Sequence, residues 1–438
     1  MRVNLTGLAG AAGLVFALGA YAPAAFSQLA DLTALTLPRA EQLLQSRNRE
    51  LQAARRAVEA AQANTLTAGA PPNPTLSLGV SAFNPSAGIG PGSYRDKTVD
   101  SSVRLDQLIE RGDKRDLRIA NARSLESASN EDLSDAYRQQ LLALRSAYYD
   151  LMFAQDKTGI SRDSAQLFDT SMRAAELRLK TGDIAAADVS RLRVDALRAA
   201  NDARAAEADL RRAQLTLAYM IGAEAQASAL RAVDAWPAHA AAEDGEVTDE
   251  LLDRRPDVRA AKARVEAAQK ARELARSLKS NDVTVGAQFD HYPLGTTPNS
   301  NQFGTGNSYG VFVSIPLFFR YQYQGEIQAA EVAYNSALES LDRTRALARG
   351  ELSRTLSDLQ AAAERLRRYD ESLLVEAKKS AESAEFAYRN GATGVMDVLD
   401  SRRTLRAIQI DAASARDDYA KALAAWTLAL PANQENGK

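Results

Sequence analysis

Few residues in this chain could do chemistry, and their spacing narrows which kind. His239 and His291 are the two histidines, and they stand far apart in sequence. There is no cysteine, which excludes disulfides, thiol nucleophiles and Cys-held metal. No Ser/His/Asp set and no Gly-rich phosphate loop occurs, and the five methionines are scattered and read as core. The expectation is therefore no enzyme, no cofactor and no metal centre. What remains is a carboxylate that occurs twice. Gly182 is followed six residues later by Asp188-Val189. Gly391, 209 residues further on, is followed by Asp397-Val398, with Asp400 close behind. A carboxylate there either caps a helix leaving the Gly turn or offers fixed negative charge to whatever passes. Asp400 lies inside the helix, so its bland alternative is a solvated face.

Each glycine lies between two helical stretches. After Gly182 an Ala-rich seam runs from Val189 and Leu192 to Leu217 and Met220 in steps of three and four, the coiled-coil period. The same register runs from Val398 to Ala429, with Ser401 as its polar exception. These are packing residues. They predict two helical hairpins, with Gly182 and Gly391 as the tip turns at one end of a long helical body.

The repeat extends beyond the tips. "VEAAQ" at Val58–Gln62 recurs at Val265–Gln269, Leu44 matches Leu251, and Arg47 matches Arg254, all at an offset of 207. A period this long marks a duplicated half, not a solenoid. The pattern predicts helices over Pro38–Ala68 and Glu250–Lys279. It predicts long helices over Arg115–Leu179 and Gly325–Arg389, each about 100 Å at ~1.5 Å per residue. Between them lie alternating stretches: Pro74–Phe83, Thr98–Gln107, residues 283–289 and Tyr309–Leu317. Such stretches, about ten residues long and apolar on one face, have the pattern of transmembrane β-barrel strands. Four strands cannot close a barrel, and an open edge cannot stand in lipid, so membrane-spanning strands imply oligomerisation.

Composition sets the outer bounds. The 54 basic and 56 acidic residues leave a net charge of −2, which argues against a nucleic-acid partner. Residues 1–27, apolar from Leu5 to Phe26 and ending in Ala25-Phe26-Ser27, read as a cleaved export signal. The expected order is then a first repeat over 28–222 with a β-hairpin at 74–108, and an insert over 223–249 that belts the helical body. A second repeat follows over 250–430 with a β-hairpin at 282–319, and then a tail over 431–438.

In that order, with the tip "YRNGATGVMDVLD" and the junctions "DQLIERGDKRDLRIANA" from Asp106 and "PLFFRYQYQGEIQAAE" from Pro316, the chain resembles the TolC family of outer-membrane efflux proteins. The Gln107…Gly112-Asp113-Lys114-Arg115 junction is similar to that of the cobalt–zinc–cadmium-type branch. The resemblance covers nearly everything after the signal. It implies a mainly α fold with a small β part, trimeric, with a 12-stranded transmembrane β-barrel continued by a long α-helical barrel in the periplasm. It implies a homotrimer in the Gram-negative outer membrane. The implied partners are a periplasmic adaptor (membrane fusion) protein and an inner-membrane RND-type transporter. By the same resemblance Asp188, Asp397 and Asp400 fall on aspartates of the periplasmic aperture, and Tyr388 on the gate tyrosine, for which helix packing is the bland alternative. Thr393 stands where the family has a tip arginine. Lys180, Arg191, Arg389 and Arg402 are the bases near enough to replace it.

Three functions stay open at this stage. The first is an exit duct for small molecules or metal cations, and the second is the outlet of a type I protein secretion system. The third is a structural periplasmic coiled-coil protein, which the alternating hairpins and the export signal disfavour.

Overall fold

The structure, a computed structural model, describes residues 32–81, 99–239, 248–292 and 306–430. The expected signal at 1–27, the tail at 431–438, the loops at 82–98 and 293–305, and residues 240–247 of the insert lie outside the described residues. The chain divides into two compact units. One is Met1–Leu43 with Ala147–Pro237, and the other is Leu44–Ser146 with Ala238–Lys438. No helix among the described residues is long and apolar enough to cross a membrane.

The secondary structure is mainly helical. In chain order it comprises α1 (Leu37–Arg47), α2 (Arg49–Gly69), β1 (Thr75–Ser81), β2 (Asp100–Ile109), α3 (Lys114–Thr181) and α4 (Ala186–Ile221). Then come α5 (Asp249–Asp253), α6 (Pro256–Ser277), β3 (Val283–Tyr292), β4 (Gly306–Ser314), α7 (Gln324–Arg368), α8 (Leu374–Arg389) and α9 (Val395–Ala429).

Three helices expected as continuous are interrupted, each for a local reason. The Pro38–Ala68 stretch breaks at Asn48, whose side chain accepts from Leu51 N at 3.0 Å and so caps α2. The Glu250–Lys279 stretch breaks 207 residues later at Arg255, where Pro256 takes the first position of α6. The long second-half helix contains a π-helical turn, Tyr369–Leu373, between α7 and α8. None of its side chains is fully buried, and Tyr369 alone of the five packs against the core. At the other end β4 stops at Ser314, short of Leu317, because Pro316 has no N–H to give the ladder.

The smaller unit is built on the C-terminal part of α3 against α4. Val189, Leu192, Ala199, Ala203, Ala206 and Leu217 of the expected seam are buried. Lys157 Nζ donates to Asp209 at 2.8 Å and Thr158 Oγ1 to the Ala206 carbonyl at 3.2 Å, which fixes the register. The first described residues join this unit. Leu35 and Ala232 form an isolated parallel bridge. The Tyr148 hydroxyl lies 2.8 Å from both the Leu35 carbonyl and Asp234, which share its one proton. Trp236 stacks on Tyr149 and its indole N–H donates to Asp156 at 3.0 Å.

In the larger unit α7 packs against α6 and α9 around Val258, Leu352, Leu359, Tyr419 and Trp426. A smaller cluster of Ala377, Ala381 and Leu405 continues the α8–α9 pairing beyond the π turn. This unit also holds the sheet, four antiparallel strands in the order β1-β2-β3-β4. Cross-strand pairs Leu78↔Val103, Val103↔Phe289 and Phe289↔Tyr309 place one apolar face along the whole sheet. That face is not covered: Leu78 is 73% exposed, Tyr309 82% and Val311 79%. The opposite face carries Ser77, Arg104, Asp106, Gln288, Asp290 and Ser308.

The junction from β2 into α3 is tightly made. Gly112 and Asp113 both take positive φ, 72° and 56°, and turn the chain within two residues. A Cβ at Gly112 would lie 2.7 Å from Ser280 Cβ, so only glycine fits. Lys114, nearly fully buried, then donates at 2.8 Å to Asp282 and at 2.7 Å to the Ser280 carbonyl. The second hairpin's entry is thereby clipped to the first hairpin's exit.

Candidate functional site

The two tip turns have the same backbone wiring. At the first, Gly182 takes φ 81°, its N–H donates to the Leu179 carbonyl at 3.1 Å, and Asp183 N donates to Arg178 O at 2.9 Å. At the second, Gly391 takes φ 71°, with Gly391 N to Tyr388 O at 3.0 Å and Ala392 N to Ala387 O at 2.8 Å. These paired bonds satisfy the last helical carbonyls, and the left-handed residue between them is glycine because a Cβ there would be strained. Every donor and acceptor in the second turn is its counterpart in the first plus 209.

The helix that leaves each turn begins two residues before the repeated aspartate. Asp188 therefore occupies the third helical position after Ala185, and Asp397 the third after Gly394. Neither is the N-cap itself. Asp397 does the reciprocal half of a capping box, its Oδ2 accepting the Gly394 N–H at 3.3 Å. Asp188 makes no such bond and lies 3.6 Å from Arg191. Both carboxylates favour a helix N-terminus electrostatically. Asp400 points to solvent, its side chain 79% exposed, with Arg403 at 3.7 Å. Tyr388 is half-buried beside the second turn and supplies its carbonyl to Gly391.

Sequence alone missed a clasp below the second tip. Glu385 on α8 accepts from Arg389 on its own helix at 2.5 Å and from Arg402 on α9. Those two guanidinium hydrogen bonds, the Arg389 one first, hold the Glu385 carboxyl below its ordinary value. Of the candidate bases for Thr393, Arg389 and Arg402 are engaged with Glu385, while Arg191, in the other unit, is paired with Asp188. The i, i+4 spacing of Glu385 and Arg389 was visible in the sequence; the reach from α9 was not.

A second missed feature lies in the helical body. Arg255 is fully buried and donates to Asp257 at 2.8 Å, to Glu351 at 2.6 Å and to the Ala429 carbonyl at 3.0 Å. Arg138 joins Glu351 at 3.1 Å. The network walls a groove of about 460 Å³ lined mostly by apolar groups such as Leu51, Leu133 and Leu430, with Gln45, Arg55 and Ser134 among them.

The histidines take part in packing. His239 lies 5.8 Å from the Tyr419 ring, and His291 Nδ1 is 2.9 Å from Asn307 Oδ1. Among the described residues no group of three or more His, Asp or Glu is placed to hold a metal ion. The chemistry available is that of fixed charge and shape along a helical and β scaffold.

Comparison with known proteins agrees with that geometry. Residues 41–223 and 247–430 match the family described as outer membrane efflux protein, so the two matched segments track the internal duplication. The cobalt-zinc-cadmium resistance protein CzcC of Cupriavidus metallidurans is 28% identical over 387 residues, covering 85% of this chain and 84% of that protein. The pyoverdine export outer membrane protein OpmQ of Pseudomonas putida is 25% identical over 395 residues, covering 85% and 81%. Among solved structures, the outer membrane protein VceC of Vibrio cholerae superposes with a TM-score of 0.71 at 19% identity, over 91% of this chain and 97% of that one.

Proposed function

The chain belongs to the outer membrane efflux protein family, and from that premise we propose that it is the passive exit duct of a tripartite efflux system. Its cargo on this reading is small molecules or metal cations. The duct has no catalytic chemistry of its own and takes its energy from a partner pump. The partners are a periplasmic adaptor and an inner-membrane RND-type transporter, with lipid of the outer membrane around the strands. The observation that carries the assembly is the sheet. It offers lipid an exposed apolar face, yet β1 and β4 each leave an edge unpaired within the four strands. Unpaired edges are not tolerated in hydrocarbon. Three copies would contribute twelve strands to one closed barrel and bring three helical bodies into one tube.

In such a trimer the three-fold axis turns Asp188, Asp397 and Asp400 into rings of carboxylates at the periplasmic aperture, beside Tyr388. Rings of that kind attract cations and repel anions. Metal ions as cargo suit this charge, and likeness to CzcC supports them. Such ions would pass without dedicated ligands.

The test begins with the mass of the mature protein extracted in detergent. A trimer supports the duct, whereas a monomer soluble without detergent would return the chain to a periplasmic coiled-coil role. Planar-bilayer recordings on the trimer then compare wild type with Asp188→Asn/Asp397→Asn. Reduced cation preference is expected, and an unchanged preference would remove the ring assignment.

A further inference from the structure

The polar face of the sheet holds a cluster that neither the tips nor the family match account for. Arg104 on β2 does not extend from the sheet. Its Nε donates to Asp106 at 2.9 Å, and its guanidinium carbon lies 4.7 Å from the centre of the Phe312 ring on β4. Phe312 is the one aromatic residue in the middle of an otherwise polar face. Two glycines make the arrangement possible. A Cβ at Gly286 would stand 2.1 Å from Asp106 Oδ1, so the carboxylate is seated against bare backbone. A Cβ at Gly310 would stand 3.0 Å from the Phe312 ring, so the ring lies back over the strand. An arginine held by a carboxylate on one side and an aromatic face on the other has a fixed position.

We propose that Arg104, laid on Phe312 and bonded to Asp106, is the fixed counter-charge of the β-barrel lumen and sets ion preference there, independently of the tips. This rests on the reading of the sheet as part of a closed barrel, in which the apolar face meets lipid and the polar face lines the lumen. Among the described residues the polar face of the strands carries Asp100, Asp106 and Asp290 against Arg104 as its only base. Gln288 donates to Asp290 at 2.7 Å but leaves its charge unmatched. Arg104 therefore masks one carboxylate in three, and three copies form a mixed-charge ring in place of a purely acidic one. Cargo with its own negative charge can pass such a ring more readily than it would pass bare carboxylates.

The experiment measures reversal potentials of the full-length mature trimer in planar bilayers under a KCl gradient. Arg104→Gln unmasks Asp106, and the potassium-to-chloride permeability ratio is expected to rise by about twofold or more. Asp106→Asn is expected to lower it. Phe312→Leu keeps every charge but frees the guanidinium, and an intermediate ratio is expected. Wild-type ratios for both Arg104→Gln and Phe312→Leu would overturn the proposal, even if the tip variants still shift selectivity and uphold the duct. A wild-type trimer that conducts no ions would overturn the duct reading and this proposal with it.

Discussion

Arg255 Nη2 lies 2.6 Å from Glu351 Oε2, and the same guanidinium reaches Asp257, with the arginine side chain only 1% exposed. The contact joins the start of α6 to the middle of α7. A buried guanidinium is tolerable only because both carboxylates and the Ala429 carbonyl use its donors. Burial alone would raise the Asp257 and Glu351 carboxyls. The hydrogen bonds and charge of Arg255 outweigh burial and hold both below their ordinary 3.8 and 4.5.

Carboxyls depressed in the folded state stabilise it fully above their unfolded values, and that contribution is lost as pH falls through the folded values. The denaturation midpoint of the wild type should therefore fall steeply below about pH 4.5. Arg255→Met leaves Asp257 without its guanidinium partner and Glu351 with Arg138 alone, and should cost about 3 kcal/mol near neutral pH. Its stability should also fall less on acidification than that of the wild type, because protonation then relieves the unpaired charge. Parallel pH profiles for both proteins would expose any failure of this sign.

The α8–α9 clasp predicts a local effect. Glu385→Gln keeps the shape but removes the charge that gathers Arg389 and Arg402. Amide exchange across residues 386–400 should quicken several-fold, since the α8–α9 core beyond the π turn is only a small alanine–leucine cluster. Exchange in the Gly182 turn, which belongs to the other unit, should be unchanged. Because Glu385 titrates below its ordinary value of 4.5, the wild-type clasp should persist to lower pH than an unpaired glutamate would allow.

Much of the architecture was legible because it rests on periodicity. The period of 3.5 that ran from Val189 to Met220 is the buried seam of α4, and the alternation through Leu78, Val103 and Val311 is one continuous face of the sheet. Both signals are local and repeat along the chain. The charge network of Arg255 was not legible, because nothing local says that Glu351, 96 residues away, will meet it. The Arg104–Phe312 pair was hidden for the same reason, since it depends on the register of β3 between β2 and β4. The π turn at Tyr369–Leu373 left no sequence signal at all, having neither Gly nor Pro.

Tyr148 ties the first described residues to the rest of the smaller unit. It is buried, and burial first, with the hydrogen bond and charge of Asp234 after it, pushes its hydroxyl well above the ordinary tyrosine value. It remains a donor throughout the accessible range. Tyr148→Phe removes the donor but keeps the ring, leaving the Leu35 carbonyl and Asp234 one partner short. Asp234 still accepts Leu37 N at 2.6 Å, so the loss should be moderate, about 1–2 kcal/mol. Thermal unfolding should start earlier, and limited proteolysis should open the segment before α1 first.

The sheet gives the sharpest contrast between neighbouring positions. Leu78 and Ser77 are adjacent on β1, so their side chains leave opposite faces. Leu78 lies in the apolar band with Val103 and Val311, which in the proposed barrel meets lipid, so a cation there would have to enter hydrocarbon. Leu78→Lys should cost about 2–4 kcal/mol at mid-depth, falling toward the membrane surface. Ser77→Lys, one residue earlier, adds the same charge to the polar face opposite Arg104 and should leave assembly intact. The two variants are compared by their recovery as trimers in the outer-membrane fraction. Depletion of Leu78→Lys with normal recovery of Ser77→Lys assigns the faces, and the reverse pattern would turn the sheet inside out. A Ser77→Lys trimer should also show weaker cation preference than wild type, since in the proposed barrel its new charge joins Arg104 on the lumen side.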